Sequence, residues 1–96
     1  MAKKVVWTKR ADTKFTKILE YLNEVGGQKV TEPFIKRTYN FLDILIDFPE
    51  VGAIQNASRD IRGFTLTKHI TLFYRIDQQN IILLNFFDTR QRRNKK

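Results

Sequence analysis

The 96 residues contain no cysteine, and histidine, tryptophan and methionine occur once each. Without cysteine there are no disulfide staples, thiolate metal sites or thiol nucleophiles, and thiol redox chemistry has no basis. A single imidazole, His69, is the one side chain whose ordinary pKa suits proton transfer near neutrality. No stretch approaches the roughly 18 consecutive apolar residues of a membrane span. The opening Met-Ala-Lys-Lys lacks the apolar core and cleavage site of a signal peptide. A cytoplasmic protein needing no cofactor and no metal is therefore expected. Proline and glycine are sparse, at two and four, and no repeat or linker divides the chain. Residues 1–91 are expected to form one domain, and 92–96 a basic, disordered tail.

What is present is enough for one core and an uneven charge. Apolar residues make up 42% of the chain, sufficient to close a modest interior. The formal net charge is +8, concentrated at the two ends. Residues 1–17 hold six Lys/Arg against Asp12 alone, and residues 90–96 hold five with no acid. If both ends meet on one face they form a surface attractive to nucleic acid, ribosome or an acidic protein segment. If they do not, they serve as a solvated, charged exterior.

Residues 3–7, rich in β-branched and aromatic side chains, read as a strand. Thr8 can cap a helix whose buried stripe is Ala11, Phe15, Ile18, Leu19 and Leu22, ended by Gly26-Gly27. A second helix is expected to start at Thr31-Glu32-Pro33, with Phe34, Ile35, Thr38, Leu42, Leu45 and Ile46 inward and Phe48-Pro49 as its end. The short link makes the two an antiparallel hairpin that must bury its stripe elsewhere. Residues 50–58 have no period and read as a crossing loop. Three strands then follow, Ile61–Leu66, Ile70–Ile76 and Ile81–Phe87, the last apolar on both faces and so best placed with neighbours on each edge. The expected fold class is α+β: an N-terminal strand, an antiparallel helix hairpin, then a three-stranded antiparallel sheet carrying the helices on one face.

That order of elements resembles the RelE/ParE toxin superfamily over almost the whole chain. The resemblance is carried by Trp7 and Ala11, by the Pro49-Glu50-Val51-Gly52 loop, and by Arg62-Gly63-Phe64-Thr65-Leu66. His69 to Ile76 and the closing Asp88-Thr89-Arg90-Gln91 complete it. It implies the toxin of a type II toxin–antitoxin pair, silenced by a cognate antitoxin whose extended or helical segment lies on its sheet and helices in a hetero-oligomer. ParE-like members inhibit DNA gyrase, whereas RelE-like members are ribosome-dependent, metal-independent mRNA endonucleases. A third alternative is an inactive member acting only as a binding module.

Metal-free RNA cleavage needs a base for the 2′-hydroxyl, cations for the phosphorane and an acid for the leaving oxygen. The nuclease candidates are Arg62, His69 and Arg90, of which Arg90 matches the superfamily's last-strand Arg. Each has a plain counterpart. Arg62 can ion-pair with Asp60 or Glu50, His69 can sit solvated in a turn, and Arg90 can belong to the tail. Thr71 stands where RelE-like nucleases carry Arg, and no aromatic or His follows Phe87. Those departures favour the gyrase reading narrowly. Candidate binding residues are Lys9, Arg10, Lys14 and Lys17 along the first helix, with Arg75, Arg92 and Arg93. Trp7 and Tyr74 are expected to pack in the core rather than stack on bases.

Overall fold

The computed structural model describes residues 3–89. In chain order these form β1 (Lys4–Trp7), α1 (Lys9–Gly26), α2 (Gln28–Asp47), a 3₁₀ turn (Pro49–Val51), β2 (Ala53–Asn56), β3 (Ile61–Thr65), β4 (Ile70–Ile76) and β5 (Asn80–Asp88). The α+β class, the leading strand, the helix hairpin and its seat on one sheet face agree with the sequence reading. The sheet itself is larger. It has five strands in the order β1-β5-β4-β3-β2, and it is mixed, because β1 runs parallel to β5 while the other pairs are antiparallel. The apolar β5 thus gains a neighbour on each edge, as its composition requires.

Thr8 does two jobs at the first junction. Its hydroxyl accepts from the Ala11 amide at 3.1 Å and donates to the Leu83 carbonyl at 2.7 Å, so the cap of α1 is also its anchor to β5. Ala11, Phe15, Ile18 and Leu22 are buried. Their four-three-four spacing lays one helical stripe on the sheet.

The second helix begins three residues earlier than expected. Gly27, at φ 68° and ψ −162°, reverses the chain in a backbone region essentially closed to other residues. Its carbonyl then accepts from the Val30 and Thr31 amides. Thr31 is no cap; its hydroxyl donates back to the Gly27 carbonyl at 2.9 Å. Pro33 consequently lies inside the helix, where it removes the amide that would serve Lys29. Phe34, Thr38, Phe41, Leu42 and Leu45 are buried, whereas Ile35 and Ile46 are half-buried and Tyr39 is exposed.

The expected crossing loop is also corrected: it contains the 3₁₀ turn and β2. All four β2 residues are exposed, so no alternation betrayed the strand, and a bulge at Gln55 breaks its register with β3. The core lies between helices and sheet, with Leu72, Tyr74, Ile81, Leu83 and Phe86 fully buried. Each such apolar side chain contributes about 1.5–3 kcal/mol. Trp7 packs there as expected, its ring centroid 5.2 Å from Phe15 and 5.7 Å from Phe86. Among the described residues no helix is long and apolar enough to cross a membrane. The tail expected at 92–96 lies outside the described residues.

Candidate functional site

Two features on the helix side define the site: a groove beside α2 and a clamped loop at its C-terminal end. The groove comprises two adjoining cavities of about 320 and 430 Å³ that share Pro33 and Arg37. Leu22, Val30, Phe34 and Ile70 make the first cavity apolar, and Phe41, Ile44 and Phe64 the second. Phe41 and Phe64 stack with centroids 3.8 Å apart and form its floor. The polar lining is Lys36, Arg37, Asn40, Thr67, Lys68 and His69, with no acid. Arg37 also donates to the Leu66 carbonyl at 3.1 Å, tying α2 to the end of β3.

The loop after α2 is held by two side chains from the sheet. Tyr74, fully buried, donates its hydroxyl proton to the Pro49 carbonyl and accepts from the Gly52 amide, both at 2.9 Å. Arg62, paired across the sheet with Tyr74, donates to the Glu50 and Gly52 carbonyls at 3.2 and 2.9 Å. Its Nε is buried with no hydrogen-bond partner. Burial raises the Tyr74 pKa above its ordinary 10.0, against the opposing pull of the Gly52 amide and Arg62. A Cβ at Gly52 would fall 2.6 Å from the Tyr74 hydroxyl oxygen. Glycine is therefore required for the loop to come this close. Three fragments noted in the sequence, Pro-x-x-Gly, Arg-x-Phe-x-Leu and the strand holding Tyr74, meet in this clamp.

Of the candidate nuclease residues, the two that are described, Arg62 and His69, are not gathered together. Arg62 lies on the helix-side face, beside Tyr74 and opposite Ile61. His69 sits in the β3–β4 turn on the groove rim, and about 15 Å of strand separates it from the Arg62–Tyr74 pair. Arg90, Arg92 and Arg93 lie outside the described residues. Arg75 is exposed on the opposite sheet face, between Ile61 and Ile82 in register. That face also carries Val6, Phe73, Phe87 and Thr71 by pairing, and it is more apolar than cationic. Lys9, Arg10 and Lys17 are exposed along α1, and Lys14 is half-buried.

Sequence reasoning missed Lys36 and Arg37 on the groove rim, together with the exposure of Ile44, Phe48, Val51 and Ile54. The spacing of Pro33, Arg37, Phe41 and Ile44 marks a second stripe on α2, the signal that could have exposed the groove.

The architecture is a helix hairpin on a mixed five-stranded sheet, with a basic-rimmed apolar groove along the second helix. The model of the ParE toxin of type II toxin–antitoxin systems, parDE, matches residues 5–93. The chain belongs to this family. Among solved structures it is similar to the chromosomal ParDE TA system from P. aeruginosa, with TM-score 0.75, 13% identity, and coverage of 91% of this chain and 96% of that one. It is also similar to a YoeB/ParE toxin from Agrobacterium tumefaciens (TM-score 0.61, 12% identity, 88% and 97% covered). A copper-bound mutant toxin from Helicobacter pylori is a third (TM-score 0.61, 17% identity, 95% and 98% covered). These similarities concern the fold. A search of curated proteins finds no match.

Proposed function

We propose that this toxin acts by binding rather than by chemistry, that DNA gyrase is its target, and that a cognate antitoxin silences it. The observation that carries this reading is the fate of Arg62. Its Nη1 donates to two backbone carbonyls and its Nε is buried without a partner, so one edge of the guanidinium is spent on the loop after α2 and at most Nη2 is left to meet a phosphate. His69, the one imidazole, stands at the far end of the hairpin, so among the described residues it does not converge with Arg62 as cleavage of a phosphodiester requires. Binding a protein needs only a shaped surface. The apolar groove with Lys36, Arg37 and Lys68 at its rim suits an acidic, amphipathic antitoxin segment, helical or extended.

The test is induction of the protein alone in a bacterial host while labelled amino-acid incorporation and chromosome integrity are followed in the same culture, with Arg62→Ala and Arg90→Ala alongside. The expected result is DNA breakage and filamentation while translation continues. Rapid translation arrest with mRNA cut on ribosomes, lost in Arg90→Ala, would establish the nuclease reading instead. Unaffected growth would indicate an inactive member.

A further inference from the structure

Beyond the groove, an apolar knob at the C-terminal end of α2 has no role in the account so far. Phe48 is 66% exposed, Val51 47% and Ile54 57%, three large apolar side chains within seven residues. Isolated exposed apolar residues need no explanation, but Phe48 and Val51 border one hollow on a held backbone, with Ile54 three residues on. This backbone is held by the four hydrogen bonds of the Tyr74–Arg62 clamp and by the Phe48 amide donating to the Ile44 carbonyl. The Tyr74 hydroxyl and the Arg62 Nη1 stabilise the loop, yet the clamp leaves Phe48 and Val51 facing water, an arrangement that the stability of the isolated chain alone does not call for. It does pre-organise the knob for a partner, because the loop's ordering entropy is lost before binding.

The charge around the knob says what kind of partner. From residue 38 to residue 58 the chain has no Lys or Arg, and it carries Asp43, Asp47 and Glu50, on a protein of net charge +8. Asp47 and Glu50 border the same open hollow, of about 570 Å³, as Phe48 and Val51. The acids of this segment disfavour phosphates, and the cation that reaches it, Arg62, spends its Nη1 on the Glu50 and Gly52 carbonyls, so the knob suits a protein better than nucleic acid. We infer that the Phe48–Val51–Ile54 knob is the surface by which the toxin engages its target protein, entering an apolar socket rimmed by Lys or Arg, while the groove is left to the antitoxin. This rests on the reading that the target is a protein. It adds that target and antitoxin use separate surfaces.

The experiment compares wild type, Phe48→Ser/Val51→Ser and Val25→Ser. Val25 is 61% exposed at the far end of α1 and serves as a control for losing an exposed apolar group. Each is assayed for growth arrest on induction, inhibition of purified bacterial gyrase, thermal unfolding, and self-association by sedimentation. Expected is a loss of about tenfold or more in gyrase inhibition and of growth arrest in the double variant alone, at unchanged unfolding temperature. Growth arrest lost in the double variant, with wild type inert on gyrase, would remove gyrase as target while supporting the knob. Equal potency of the double variant and wild type in both assays would overturn the inference, as would a wild-type self-association abolished by the double variant.

Discussion

Tyr74 shows how one hydroxyl can organise a site. It is the only polar atom of a fully buried side chain in mid-strand, and it closes hydrogen bonds to both ends of the Pro49–Gly52 turn. Removing it in Tyr74→Phe leaves the Gly52 amide and Pro49 carbonyl without their partner, at a cost of about 1–3 kcal/mol. Faster hydrogen exchange at the Gly52 amide, and a lower midpoint in urea, would be measured. The pH dependence follows from the raised pKa. Folding favours the protonated phenol, so its contribution is complete below the ordinary value of 10.0 and is lost as pH rises through the higher folded value. Wild type should therefore lose stability above about pH 10 more steeply than Tyr74→Phe; parallel curves would contradict the role given to this hydroxyl. The sequence revealed that Tyr74 is buried, because its strand alternates, but not that its oxygen reaches a turn 22 residues away. Alternation reports which face a residue occupies, not what its polar atom meets.

At the scale of elements, legibility followed amphipathic period. α1 was readable to its cap because Thr8 and the stripe from Ala11 to Leu22 agree, and β4 and β5 because their apolar residues recur at period two. α2 began earlier than Thr31-Glu32-Pro33 suggested, because backbone reversal at Gly27 outweighed local capping preference. The tight link also brings Gly26 against Val30, where an added Cβ would collide with the Val30 side chain. A substitution at Gly27 meets open space and isolates the backbone effect. Gly27→Ala is expected to cost about 1–3 kcal/mol, seen as a lower thermal midpoint, and an unchanged midpoint would mean the hairpin adopts another reversal. β2 escaped notice since an edge strand exposed on both faces has no apolar alternation to display. The groove escaped notice for a related reason: its rim residues lie on the flank of α2, where solvated cations and binding cations have the same pattern.

Across the whole molecule, charge and shape divide the labour. Cations line α1 and the groove, whereas residues 38–58 carry only acids, so the chain offers a basic surface and an acidic, apolar one. If the antitoxin is captured through the Lys36, Arg37 and Lys68 rim, capture should weaken as salt rises, mostly through slower association. Engagement through the apolar knob should change much less. Arg62 and His69 stand apart in the fold, and that separation could not be read from sequence because they are close in the chain and parted only by the length of a strand.

The central claim is that this toxin binds gyrase and performs no cleavage of its own. Its most direct test is to add the purified protein to two reactions, plasmid supercoiling by purified bacterial gyrase and translation of a defined mRNA on purified ribosomes. Inhibited supercoiling with accumulation of gyrase-linked DNA breaks, and intact mRNA on translating ribosomes, is the expected result. Ribosome-dependent cuts in the mRNA with supercoiling unaffected would contradict it.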